Sequence, residues 1–290
     1  MKKSFKIIGL IAINALLLAY KSTAAPLTYV PQKVTGLKTP ESVVQAKDGR
    51  IFISEIGEFG KDGDGQISVI DTSGKVSVFT GGLNDPKGLA IIGQNLYVAD
   101  KDKVWKVTPD GKASVFAAAS AFPSTPFFLN DMEADPHGNL YVSDSGDLFK
   151  TGKGGAIYKI TPDGKVTTLI TDKDARIKAP NGLLADDTGD VLIEVDFNSG
   201  VLYSFNQKTG ALTDLAEGFG GGDGLVHHSN GTMYVSDWKN GKVFSVSTKG
   251  DVALIKDGYQ SAADIALTKD EKYIMVPDMK AGVLDFIALK

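Results

Sequence analysis

The chain has 290 residues, a formal net charge of −4 at pH 7 and no cysteine. Without Cys, disulfide stapling and lipidation of a Cys are both excluded. The acidic balance argues against nucleic acid and anionic lipid surfaces as partners.

Residues 1–25 do not read as part of a fold. A basic stretch, MKKSFK, precedes an apolar run of 14, IIGLIAINALLLAY, and then the small residues of KSTAA. The run is too short to span a bilayer as a helix, and the pattern predicts a signal peptide cleaved after Ala24 or Ala25. Its removal takes away four Lys and leaves 27 Lys+Arg against 35 Asp+Glu. The expected product is periplasmic or secreted, with no membrane association once the signal is gone. Residues 26–290 are expected to form one domain.

Beyond residue 40 one unit recurs six times: an apolar strand, a turn, and a second strand ending in an acid. The copies are SVVQAKDGRIFISE, GLAIIGQNLYVAD, DMEADPHGNLYVSD, GLLADDTGDVLIEVD, GLVHHSNGTMYVSD and DIALTKDEKYIMVPD. A third strand follows each, as in GQISVID or GAIYKITP. Five copies then turn through TSGK, TPDGK, TPDGK, QKTG or STKG into a fourth. These turns hold Asp, Asn, Gly and Pro because tight hairpins need positive or preset φ. The strands alternate and are rich in Val, Ile, Tyr and Phe.

The residue just before each first strand marks the register. It falls at Glu41, Lys87, Asn130, Asn181, Asp223 and Ala263, at intervals of 46, 43, 51, 42 and 40 residues. A four-stranded unit of that period is a propeller blade. The predicted fold is therefore all-β: a six-bladed β-propeller of four-stranded antiparallel blades. The sixth unit lacks a fourth strand, so residues near 28–35, in VPQKVTGL, are expected to close the last blade from the N-terminal end.

First strands line the central channel of a propeller, so the six marked residues converge at one mouth. Four of them, Glu41, Asn130, Asn181 and Asp223, offer an oxygen, and two carry negative charge. A ring of carboxylate and amide oxygens suits a hard divalent cation, Ca²⁺ first, with Zn²⁺, Mg²⁺ and Mn²⁺ as alternatives. Each Asn or Asp taken alone could equally cap its own turn. Lys87 stands beside this ring, where it could pair with an anionic group of a substrate or with Asp223.

PES with Glu41, LND with Asn130, APNGL with Asn181 and GGDGL with Asp223 resemble the senescence-marker-protein/gluconolactonase/luciferin-regenerating-enzyme family. The resemblance covers nearly the whole mature chain. It implies one axial divalent cation held by Glu41, Asn181 and Asp223, with Asn130 a fourth ligand or a contact to substrate or water. It implies hydrolysis of lactones or related esters, a lactonase-like carboxylic ester hydrolase acting on a small molecule. Asp223 would assist the attacking water; Asp131, next to Asn130, is a second candidate for that base and a candidate for contact with substrate. Members acting on sugar acids usually carry an Arg two residues before the third-blade Asn. Phe128 stands there, so a sugar-acid lactone fits less well. Phe59, Phe122, Phe127, Phe149, Phe197 and Trp238 lie in loops at the same mouth and could wall an apolar pocket with Phe128.

Two rival functions are a non-catalytic binding propeller of the NHL-repeat kind and a streptogramin-lyase-like propeller. The latter normally has seven blades and a well-placed His, and this chain offers neither. No nucleophile elbow or phosphate loop occurs. The acids Glu55, Asp100, Asp144, Asp196, Asp237 and Asp278 recur in all six units whatever the axial residue, which predicts a scaffold role at the turn. A monomer is expected.

Overall fold

A computed structural model describes residues 32–289; the expected signal peptide lies outside them. The described chain opens with β1 (Val34–Thr35). The first blade is β2 (Pro40–Gln45), β3 (Ile51–Glu55), β4 (Gly65–Ile70) and β5 (Val76–Leu83). The second is β6 (Pro86–Ile92), β7 (Asn95–Asp100), β8 (Lys103–Val107) and β9 (Ala113–Ala117). The third is β10 (Leu129–Ala134), β11 (Leu140–Asp144), β12 (Ala156–Ile160) and β13 (Val166–Thr171). The fourth is β14 (Pro180–Ala185), β15 (Val191–Asp196), β16 (Val201–Asn206) and β17 (Leu212–Glu217). The fifth is β18 (Gly222–His227), β19 (Met233–Asp237), β20 (Lys242–Val246) and β21 (Val252–Lys256). The sixth holds β22 (Ala266–Leu267), β23 (Tyr273–Asp278) and β24 (Val283–Ala288).

Five sheets follow sequence order, and the sixth runs β1-β24-β23-β22. Val34 faces Leu284 and Thr35 faces Val283, so the N-terminal strand closes the ring as the sequence predicts. Closure this way joins the first and last parts of the described chain in one sheet and leaves no blade incomplete.

Each blade is amphipathic toward its neighbours rather than toward one core. Phe52, Ile67 and Leu83 of the first blade pack on Leu89, Leu96 and Val98 of the second. Tyr141 and Ile157 of the third pack on Leu183, Leu192 and Tyr203 of the fourth. The hairpin turns are held by their own side chains. In DTSGK, Asp71 accepts N–H bonds from Ser73 at 2.8 Å and Lys75 at 3.0 Å.

The inner strands share a further feature that positions the mouth residues. In five blades the register slips just after the strand begins: between Pro40 and Val43, Pro86 and Leu89, Leu129 and Met132, Pro180 and Leu183, and Gly222 and Leu225. Two residues there oppose one on the partner, which is a β-bulge. Bulges re-aim side chains and recur beside functional sites. The bulged residues are Glu41, Lys87, Asn130, Asn181 and Asp223, each with its successor.

Candidate metal centre

All five bulged side chains line one pocket of about 310 Å³, with Phe128 and the loop residues Ile56, Phe59, Leu148, Phe149, Phe197, Asn198, Trp238, Lys239 and Met279. A cavity of about 430 Å³ lies elsewhere, between turns of the first two blades near Arg50, Phe52 and Phe79. It is the larger but holds none of the orphaned buried oxygens described below, so the chemistry belongs to the axial pocket.

The acids that end the second strands hold the mouth in place. Asp144 accepts N–H bonds from Phe128 at 2.8 Å and Gly146 at 3.0 Å. Asp196 accepts from Lys178 and Ala179, both at 2.8 Å. Asp237 accepts from Gly221 at 3.0 Å, and Asp100 from Asp85 at 2.7 Å. Asp278 accepts from Ser261 at 3.0 Å, and Glu55 accepts from Lys38 at 2.5 Å. These donors, Gly146 apart, sit two or three residues before the axial positions. The recurring acid is thus scaffold, as its regularity predicts, and it fastens the segment that delivers each mouth residue.

Glu41, Asn130, Asn181 and Asp223 are each at most 5% exposed. One oxygen of each, Glu41 Oε2, Asn130 Oδ1, Asn181 Oδ1 and Asp223 Oδ1, is buried and accepts no hydrogen bond. Orphaned buried oxygens are rare, because each forfeits its hydration. Four from four blades in one pocket mark a place suited to an electropositive partner. Asn130 Nδ2 donates to Ser145 Oγ at 3.1 Å, and Ser145 Oγ donates to the Pro180 carbonyl at 2.9 Å. That chain fixes the amide so that Oδ1 is left for the pocket.

The electrostatics agree. Burial pushes the Glu41 carboxyl well above its ordinary range; Asp223 adds to this and Lys87 opposes it. Burial likewise raises Asp223, the negative charge of Asp131 adds, and a hydrogen bond from Asn181 works the other way. Among the described residues no group of three or more His, Cys, Asp or Glu could hold a metal. The donor set here is instead two carboxylates and two amide oxygens, hard ligands that fit a cation such as Ca²⁺.

Three expectations are refined. Asp131 does not line the pocket. Its oxygens accept N–H bonds from Met132 and from Leu183 of the next blade, both at 2.6 Å, so it ties inner strands together. Phe122 is 6% exposed and packs edge-on against Tyr158, in the core of the third blade. Phe127 is 62% exposed and stays outside the pocket. The sequence reading missed Ile56, Leu148, Asn198, Met279 and Lys239 as lining. It also missed Asp264, buried next to Ala263, whose carboxylate accepts the Ser42 hydroxyl at 2.5 Å. Its alignment with Asp131 in the repeat was the available signal.

Lys87 is 1% exposed. Its Nζ donates to the Asp85 carbonyl at 3.0 Å and lies 4.1 Å from the centre of the Phe128 ring. Burial lowers its pKa, against the pull of Glu41, Asp85 and Asp100.

An antiparallel ring of six blades with an oxygen-lined axial pocket defines a β-propeller with a candidate metal centre. A family profile described as SMP-30/Gluconolactonase/LRE-like region matches residues 90–269, and the chain belongs to that family. Strictosidine synthase-like 3 of Arabidopsis thaliana is 28% identical over 169 residues, 52% of this chain and 42% of that protein. Pentonolactonase XacC of Haloferax volcanii is 24% identical over 166 residues, 54% of this chain and 53% of that protein. The chain thus spans about half the length of these curated relatives. A chain of the nidogen/laminin complex superposes with a TM-score of 0.64 at 20% identity, covering 77% of this chain and 82% of that one, a likeness of fold.

Proposed function

We propose that this protein is an exported, metal-dependent hydrolase of lactones or related carboxylic esters. The observation that carries the reading is the set of four orphaned buried oxygens on Glu41, Asn130, Asn181 and Asp223, facing one pocket. Family membership and the likeness to a pentonolactonase support the reaction class. The basic, apolar and small-residue pattern of residues 1–25 supports export.

Glu41, Asn181 and Asp223 would hold one divalent cation, with Asn130 as fourth ligand. Bound there, the cation would polarise the substrate carbonyl and stabilise the charge that develops on its oxygen. The chain's own part is positioning and proton transfer. The bulges aim the ligands, and the apolar wall from Phe128 to Trp238 lines the place where the substrate would sit. Asp223 takes a proton from the water that attacks the carbonyl carbon. The acyl C–O bond then breaks, and the proton passes to the departing alkoxide oxygen. The product is a hydroxy acid, or an acid and an alcohol.

The test is a panel of lactones and esters assayed with and without chelator. Turnover that disappears with chelator and returns with added Ca²⁺, Mg²⁺, Mn²⁺ or Zn²⁺ supports the reading. Turnover indifferent to chelator contradicts it.

A further inference from the structure

The pocket holds two features that hydrolysis of a generic lactone does not use. The first is its wall. Phe59, Phe128, Phe149, Phe197, Trp238 and Met279 surround the axial ring. Phe59 is 48% exposed and Phe149 75% exposed, so large apolar rings stand open at the rim. Phe128 and Phe149 meet edge to face at 5.6 Å, and Phe197 and Trp238 lie 6.0 Å apart. Exposed rings around a concave site mark a surface that awaits an apolar ligand. A polyhydroxylated sugar lactone would need donors and acceptors along that wall; the rings supply few, and the polar side chains beside them are Asn198 and Lys239.

The second feature is a buried cation. Lys87 forms no salt bridge among the described residues. One N–H of its ammonium goes to the Asp85 carbonyl, and the Phe128 face takes part of the charge. Lys87 is also one of the residues that line the pocket. A divalent cation would balance Glu41 and Asp223, which leaves Lys87 with the attraction of Asp85 and Asp100, neither of which forms an ion pair with it. The rim repeats the sign: Lys239 Nζ lies 4.3 Å from the Phe197 ring centre and Lys280 Nζ 4.0 Å from that of Trp238. A buried ammonium without an ion pair is costly unless a ligand answers it.

We propose that the pocket takes a substrate with an apolar, aryl-like body and one anionic group, and that Lys87 is the residue that binds the anion. The proposal deepens the hydrolase reading and rests on it for the reacting group. The body lies against the Phe128, Phe149 and Trp238 rings. The anion accepts a hydrogen bond from Lys87 Nζ, and the ester carbonyl is left for the axial oxygens' cation. Lys87 is then a specificity-determining residue. The Phe128 ring serves as the seat of that lysine.

Calorimetric titration tests this without requiring turnover. The probes are 4-phenylbutyrate, its neutral amide 4-phenylbutyramide, and D-gluconate, each in Ca²⁺-containing buffer. The proteins are wild type and Lys87→Met, the latter checked for an unchanged thermal transition. Phenylbutyrate is expected to bind wild type at least about tenfold more tightly than either other probe, the range of one charge-assisted hydrogen bond. In Lys87→Met the gap between phenylbutyrate and its amide should close to within about twofold, while weak binding of both persists. Gluconate binding as tightly as phenylbutyrate would overturn the apolar body. A gap between acid and amide that survives in Lys87→Met would place the anion on the metal instead and overturn the role of Lys87. No binding of phenylbutyrate at millimolar concentration would overturn both. If Lys87 only compensates Glu41, the substitution changes Ca²⁺ affinity and leaves the probe ratio alone, which also refutes the proposal. A failed lactone panel with the expected probe binding would count against the hydrolase reading alone.

Discussion

The carboxylate of Asp144 accepts the backbone N–H of Phe128 at 2.8 Å, two residues before Asn130. A strand end in the middle of the third blade thereby sets the position of an axial residue. Asp144→Ala should leave buried donors unmet and destabilise the protein by roughly 2–3 kcal/mol, the range for a hydrogen bond to a charged group. Activity should fall further than stability alone explains, because Asn130 loses its anchor. Denaturant titration beside Asp110→Ala checks this, since Asp110 sits on an exposed turn and its loss should barely move the midpoint. Equal effects at the two sites would contradict the anchoring role.

Glu194 is a carboxyl in a place built for aliphatic side chains. It pairs with Leu183 in the ladder, where the equivalent residues of other blades are Ile53, Val98, Val142 and Val235. It is 0% exposed, and neither oxygen has a hydrogen-bond partner. Burial, with Asp196 adding, holds its pKa well above the ordinary value. Glu194→Val should stabilise the protein by about 1–3 kcal/mol by removing an unpaired polar group. With the folded pKa raised, the wild-type residue is tolerated at acid pH and becomes a liability as pH rises above the ordinary glutamate value. The gain from the substitution should therefore grow between about pH 4 and neutrality. A thermal-melt series that shows a gain constant across that interval would contradict a buried neutral carboxyl.

Neighbouring inner strands nearly touch at Gly182. A Cβ there would lie 2.2 Å from the Asp223 carbonyl oxygen of the next blade. Gly182→Ala should force the strands apart, at about 1–3 kcal/mol by analogy with other overpacked sites, and displace Asp223 from the pocket. Gly81 is the control, because the Cβ it would gain has no atom within 4 Å. Loss of Ca²⁺ affinity in Gly182→Ala but not in Gly81→Ala is the expected outcome. Unchanged affinity in both would show that Asp223 is not held through this contact.

Asp223→Ala should abolish turnover and keep the fold, because one mouth residue contributes little to six blade interfaces. It should also leave the chelator-treated protein as stable as wild type or more so at neutral pH, since burial and like charges raise both Glu41 and Asp223. The same raised values fix a pH sign. Metal-free wild type loses stability as pH rises above the ordinary carboxylate values toward the raised ones, and protons compete with metal as pH falls. The rise in Tm on adding Ca²⁺ should be larger at about pH 8 than at about pH 5. An unfolded Asp223→Ala variant, or a Ca²⁺ effect larger at the acid end, would contradict the arrangement.

Much of the fold was legible because a propeller repeats its errors as well as its pattern. Six strand-turn-strand copies set the blade count, and the missing fourth strand of the last unit located closure at Val34–Thr35. The axial residues stood out because polar side chains recur where strands begin. The bulges that aim them were not legible, since each falls at the first residues of its inner strand, before any alternation has begun that the extra residue could interrupt. Asp131 looked like a site residue because it adjoins Asn130. Its direction, toward the Leu183 N–H, is set by the bulge. Phe122 and Phe128 share a loop and a chemistry. Only packing against Tyr158 separates a core ring from a pocket ring.

Everything proposed for the mouth depends on Glu41, Asn130, Asn181 and Asp223 holding one divalent cation together. Calorimetric titration of Ca²⁺ into chelator-treated protein, run beside Glu41→Gln and Asp223→Asn, measures this outright. One site per chain is expected in wild type, with binding weakened at least about tenfold in each variant by the loss of one charged ligand. No binding of Ca²⁺, Mg²⁺, Mn²⁺ or Zn²⁺ to wild type, or binding indifferent to both substitutions, would contradict the assignment.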